Sequence, residues 1–227
     1  MTPLDRRSFL LALGALGVAA CGSPPRAYPA DSSLTPNSGS DGTIAASFTS
    51  VVMVGDSITR ASREELAAAF TTLGITDQVI DAEVGRRIAV GNGKGGGPLS
   101  GVRAIFGLLA SGADPDVWVI ELGTNDVGSY ATPDAYGGLI DQILGELPAE
   151  VPVVWQNTYR PQYVDATNVF NLVLAERIAA RPNSVVADWF STASTPNAGL
   201  LRPDNLHPNA DGQRAMALVV AQALQSL

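Results

Sequence analysis

One serine, one histidine and one aspartate stand out as a possible proton relay. His207 is the only histidine in the chain, so any imidazole chemistry falls to it. Asp204 lies three residues before it. In a turn, its carboxylate can reach one ring nitrogen, fix the tautomer and leave the other nitrogen to accept a proton. Ser57 follows a run of apolar residues and supplies a hydroxyl that such a base could activate for nucleophilic attack. A tetrahedral intermediate formed by that attack needs preorganised donors. The backbone N–H groups of Ser57 and Gly85 and the side-chain amide of Asn125 are the candidates. Each has a plainer reading: Ser57 or His207 as a helix cap, Gly85 as a turn glycine, and Asn125 as the residue that holds its own turn. Asp188 and Asp211 compete with Asp204 for the histidine. Asp56 is expected to be structural, turned away from its neighbour Ser57. Arg86 and Arg87 are possible contacts for an anionic substrate.

The elements that must position these residues alternate. Apolar runs of strand length cover Val51–Val54, Gln78–Ala82, Val117–Leu122, Val151–Gln156 and Ser184–Asp188. They lack polar alternation, as expected of strands buried on both faces. Helical spacing covers Arg63–Leu73, Leu99–Leu109, Pro133–Leu147, Asp165–Ala180 and Asn209–Ser226. Thr132–Pro133 forms a cap and first-turn pair, and Pro208 is expected to do the same for the last helix. Strands alternating with helices predict an α/β fold, a parallel five-stranded sheet with helices on both faces. In such sheets ligands sit beyond the carboxyl ends of the strands, where all the candidate residues fall.

Two other motifs fail. Gly91-Asn92-Gly93-Lys94-Gly95-Gly96 satisfies a dinucleotide-binding string, but no βαβ unit surrounds it and Lys94 lacks the following Ser or Thr of a P-loop. It is expected to be an irregular loop beside the site. A Gly-x-Ser-x-Gly elbow is absent around Ser57.

Composition narrows the rest. The chain has 227 residues, 46% of them hydrophobic, and a net charge of −8. It is globular in composition, and without basic runs nucleic acid is an unfavourable partner. A single Cys excludes an intramolecular disulfide and a thiolate metal cluster. That Cys sits in an address. Arg6 and Arg7 precede an apolar stretch from Phe9 to Ala20, which is too short to span a bilayer. Asp5-Arg6-Arg7-Ser8-Phe9-Leu10 resembles a twin-arginine export signal, and Val18-Ala19-Ala20-Cys21 resembles a lipobox. The resemblance implies an export signal over 1–20, lipidation of Cys21 and a membrane contact made by acyl chains rather than a basic patch. Residues 21–46 are rich in Pro, Ser, Gly and Thr and make a tether; 47–227 form the folded domain.

Gly55-Asp56-Ser57, Gly85, Gly123-Thr124-Asn125-Asp126 and Asp204-x-x-His207 resemble, in order, the four blocks of SGNH (GDSL-type) hydrolases. The resemblance spans roughly residues 50–227. It implies a three-layer α/β/α sandwich of flavodoxin-like topology and a Ser57–His207–Asp204 triad. It also implies an oxyanion hole at Ser57, Gly85 and Asn125, and neither a metal nor a cofactor. Asp81 to Arg87, Asn157-Thr158 and Asp188-Trp189 are similar to the extracytoplasmic SGNH domains of envelope O-acyltransferases. The expected activity is cleavage of short O-acyl esters, on a small molecule or an acylated glycan or lipid. Acyl transfer to an envelope glycan is the alternative, and a non-catalytic binding lipoprotein is a further one.

Overall fold

The computed structural model describes residues 48–227. The export-signal segment, Cys21 and the tether lie outside the described residues. Twelve elements follow in chain order: β1 (Ser50–Gly55), α1 (Ser57–Ala61), α2 (Arg63–Thr72), β2 (Asp77–Ala82), α3 (Gly101–Ala110), β3 (Val117–Glu121), α4 (Pro133–Glu146), β4 (Val153–Gln156), α5 (Val164–Ala179), β5 (Ser184–Ala187), α6 (Trp189–Ala193) and α7 (Ala210–Gln225). The five strands are parallel in the order β2-β1-β3-β4-β5. This is the expected α/β/α sandwich with flavodoxin-like order.

Strand alternation splits the core in two. Val52, Val54, Trp118, Ile120 and Trp155 point to one face and pack against α3, α4 and α5 through residues such as Ile105, Ile140 and Phe170. Val51, Met53, Val117, Val119 and Val154 point to the other and meet Leu66, Phe70, Met216 and Val220 of α2 and α7. Both clusters are apolar on both sides of the contact, so burial drives the layering. Full burial holds for β1, β3 and β4 only. β2 and β5 are sheet edges and stay partly exposed, which corrects the expectation that all five are covered on both faces.

The helix starts are set by side-chain caps. Thr132 Oγ1 accepts from Ala135 N ahead of Pro133, as expected. The last helix differs. Asn209 is its cap, accepting from Gly212 N through Oδ1, so Pro208 lies outside the helix. Pro208 is instead drawn into a bridge with Leu201. The short helices α1 and α6 were not anticipated, since five residues carry no measurable period. The glycine-rich segment after β2 folds back on itself through a bridge between Asn92 and Leu99.

The chain runs from β1 to β2 on one side and returns to β3 on the other. The sheet order therefore reverses between β1 and β3, where a crevice opens beyond their carboxyl ends. Register aligns Gly55 with Glu121, the last residue of each strand. Gly55 is required there by space. A Cβ at Gly55 would lie 2.0 Å from Thr59 Oγ1. We expect Gly55→Ala to push Thr59 aside at a cost of about 1–3 kcal/mol and to lower Tm by roughly 3–10 °C in thermal unfolding. An unchanged Tm would contradict this close approach.

Candidate active site

The turn after β1 positions Ser57, the candidate nucleophile. Asp56 is the cap of α1: its Oδ1 accepts from Ile58 N at 2.8 Å. Ser57 is thus the first helical residue, and the capping role considered for it belongs to Asp56. Its Oγ lies 3.0 Å from His207 Nε2. On the other side of the ring, Nδ1 lies 2.9 Å from Asp204 Oδ2. A carboxylate can only accept there, so Nδ1 carries the proton and Nε2 is left to receive one from Ser57. The first strand and the loop before the last helix, 150 residues apart, meet at this point.

The loop that carries the imidazole is braced. Asp204 Oδ1 accepts from the backbone N–H of both Leu206 and His207 at 2.9 Å. These backbone hydrogen bonds, followed by the bond to the ring, lower the Asp204 carboxyl to about 2. The group therefore stays anionic across any ordinary working pH. Arg202 N donates to His207 O at 2.8 Å beside the Leu201–Pro208 bridge. The competing aspartates are spent elsewhere. Asp188 caps α6 through Ser191 N and accepts from Asn157 Nδ2, and Asp211 pairs with Arg214. Asn157 Oδ1 accepts in turn from Phe190 N, so this pair braces the join between β4 and α6.

The candidate oxyanion donors differ in state. Ser57 N, at the helix start, and Gly85 N have no hydrogen-bond partner among the described residues. Gly85 sits exposed in a turn at φ +76°, a left-handed conformation that favours glycine. Asn125 is already engaged: its amide donates to Asp56 Oδ2 at 2.8 Å and to Arg86 O at 3.1 Å. It does not hold its own turn. Asp126 does more there, accepting from Ile88 N and Arg87 Nε. Burial raises the Asp126 carboxyl above its ordinary value, against the pull of those donors.

Arg86 corrects an expectation. It is fully buried and cannot touch a substrate from outside. Its guanidinium donates to Gly55 O, Asp81 O and Leu99 O and pairs with Asp81 at 2.9 Å, tying the ends of β1 and β2 together. Arg87 is bound to Asp126 at 3.1 Å and lies over the Tyr130 ring.

Glu121 escaped the sequence reading. It is buried at the end of β3, and its Oε2 accepts from Asp56 N (3.3 Å), Thr59 N (3.2 Å) and Thr59 Oγ1 (2.8 Å). Its one signal is a carboxylate closing an otherwise apolar run. Asp56 is its neighbour. Burial first, then the charge of Glu121, raises the Asp56 carboxyl well above its ordinary value. Burial also raises Glu121, opposed by the donors that surround it. Glu121 accepts from three donors and Asp56 from two, Ile58 N and Asn125 Nδ2, so the shift toward the protonated form is the larger at Asp56. Behind Ser57, then, lie two neighbouring buried carboxyl groups, both raised by burial.

In front of Ser57 lies a groove of about 390 Å³, lined by Ser57, Arg60, Ala61, Val84, Arg202 and His207. Among the described residues, no group of three or more His, Cys, Asp or Glu side chains could hold a metal ion. No helix among them is long and apolar enough to cross a membrane.

Residues 53–215 match the GDSL-like lipase/acylhydrolase family. Curated proteins give no match. Several solved structures share the fold. The lipase/acylhydrolase from Enterococcus faecalis is 17% identical with a TM-score of 0.62, covering 78% of this chain and 96% of its own. The C-terminal catalytic domain of Streptococcus pneumoniae peptidoglycan O-acetyltransferase A is 19% identical with a TM-score of 0.60, covering 78% and 93%. The Clostridium thermocellum family 3 carbohydrate esterase is 17% identical with a TM-score of 0.58, covering 78% and 98%.

The buried acid pair sets a pH dependence of stability. A folded-state carboxyl raised above its unfolded value is neutral in both states at low pH. It loses stability as pH rises from about 4 toward the raised value. Glu121→Gln removes the charge that helps hold Asp56 protonated, so Asp56 then ionises more easily. We expect the fall in Tm between pH 4 and pH 8 to be smaller in Glu121→Gln than in the parent. Equal falls would show that the two carboxyls are not linked.

Proposed function

The chain belongs to the GDSL-like lipase/acylhydrolase family, and on that premise we propose that it is a serine ester hydrolase acting on short O-acyl groups. The observation that carries this reading is the continuous relay from Ser57 Oγ through His207 to Asp204, beside two unpaired backbone N–H groups.

Ser57 Oγ attacks the acyl carbon while His207 Nε2 takes its proton. The ring becomes a cation beside the Asp204 carboxylate, which is already ionised. Charge on the carbonyl oxygen is met by the N–H groups of Ser57 and Gly85. The Asn125 amide is the third donor, sharing the hydrogen now directed at Arg86 O. Collapse breaks the ester bond, and His207 returns the proton to the departing alcohol. Water, deprotonated by the same nitrogen, then attacks the acyl-enzyme and releases the acid. Ala61 and Val84 are the apolar residues lining the groove, which suits a short acyl group.

A second reading puts a glycan hydroxyl in place of that water. It is favoured by the likeness of the 81–87, 157–158 and 188–189 segments to envelope acyltransferase domains and by the shared fold with the peptidoglycan O-acetyltransferase domain. Net transfer exceeding hydrolysis when sugars are added would select it. We further propose export and a lipid anchor on the extracytoplasmic face of a bacterial membrane, on the pattern around Arg6, Arg7 and Cys21.

With p-nitrophenyl acetate as substrate, Ser57→Ala and His207→Ala should each lower kcat by about 10⁴–10⁶-fold. A fluorophosphonate probe should label the parent at Ser57. Near-parental rates in both variants would defeat the mechanism, and failure to label would favour a binding protein. For localisation, Cys21→Ser should move the protein from the detergent-extracted membrane fraction to the soluble one; retention on the membrane would count against the anchor.

A further inference from the structure

Two arginines line the groove in front of Ser57, on a chain that is acidic overall. Its six lining residues include Arg60 and Arg202 and no acid, whereas the whole chain carries 22 acidic against 14 basic side chains. Arg60 is three residues beyond Ser57 on α1, so the two share a helix face. Arg202 is fixed from the other side. Its backbone N–H donates to His207 O at 2.8 Å, and its Nε donates to Pro208 O at 3.1 Å. That bond steadies the stem and leaves the two terminal nitrogens free to form a fork. Among the described residues, neither arginine has an ion-pair partner. The nearby carboxylates are engaged elsewhere: Asp204 with His207, Glu83 with buried Arg86, and Asp56 in the interior.

We propose that Arg60 and Arg202 form a subsite for an anionic group, a carboxylate or phosphate, carried on the ester substrate beside the scissile bond. This rests on the ester-hydrolase reading for its reaction and goes beyond it in naming the charge of the substrate. Two guanidinium groups approaching from separate elements suit a planar or tetrahedral oxyanion, to which they donate paired hydrogen bonds. An anion held by the two arginines would fix the ester in the groove that also carries the Ser57 hydroxyl.

The test compares 4-acetoxybenzoate with its neutral methyl ester, each rate divided by that for hydroxide-catalysed hydrolysis. The parent should favour the anionic ester. Arg60→Gln/Arg202→Gln should lower kcat/KM for the anionic ester by about 10–100-fold more than for the neutral ester, since any disturbance of the His207 loop affects both esters alike. Neutral-ester turnover also reports that the variant is folded. Arg60→Gln alone, at an exposed helix end, should give part of the same selective loss. Equal handling of the two esters by the parent, or equal losses in the variants, would overturn the subsite.

A second arm removes turnover from the question. In a Ser57→Ala background, equilibrium dialysis should show 4-acetoxybenzoate bound more tightly than its methyl ester, a preference lost on adding both arginine substitutions. If neither ester is cleaved but this preference holds, the hydrolase reading fails and the anion subsite stands. If esters are cleaved but binding shows no charge preference, the subsite fails and the hydrolase reading stands.

Discussion

A single buried carboxylate holds the reactive end of the sheet together. Glu121 accepts three hydrogen bonds from the turn that carries Ser57, two from backbone N–H groups and one from the Thr59 hydroxyl. Those donors belong to the first turn of a five-residue helix, too short to be stable alone. The carboxylate supplies partners that the helix lacks. Asp56 completes the arrangement by capping the same helix, its carboxyl pushed up by burial and by the charge of Glu121. Leaving Glu121 ionised in the interior is costly without such donors, and removing them would leave an uncompensated buried charge. The position of Ser57 is thus a consequence of how Glu121 is satisfied.

The same logic reaches the third block. Asn125 is held by Asp56 and by the Arg86 carbonyl, and Arg86 itself spans the ends of β1 and β2. Strand ends, cap, amide and buried guanidinium form one hydrogen-bonded set, in which each polar group satisfies another. That accounts for so much polar chemistry surviving at the core boundary. Site geometry is set from below by the sheet, and only the His207 loop arrives from above.

Much of the fold was legible in the chain. The Val- and Ile-rich runs gave every strand to within about two residues, because β1, β3 and β4 are buried on both faces and show it in composition. The Asp204–His207 pair was legible because its geometry is local, spanning three residues. What stayed hidden depends on distant partners. Glu121 looks like one polar residue at a strand end until register sets it beside Gly55. Arg86 looks like a surface arginine until Gly55 O and Asp81 O enclose it. Pro208 obeys a sound local rule for helix starts, but Asn209 caps better and Leu201 draws the proline into a bridge.

The 150 residues between the hydroxyl and its base have a temporal consequence. Closing a loop of that length carries an entropy cost that contacts of shorter span do not. A nascent chain still emerging from the ribosome holds Ser57 without a proton acceptor. The Ser57–His207–Asp204 relay is therefore complete only once the segment carrying His207 has been made and has docked.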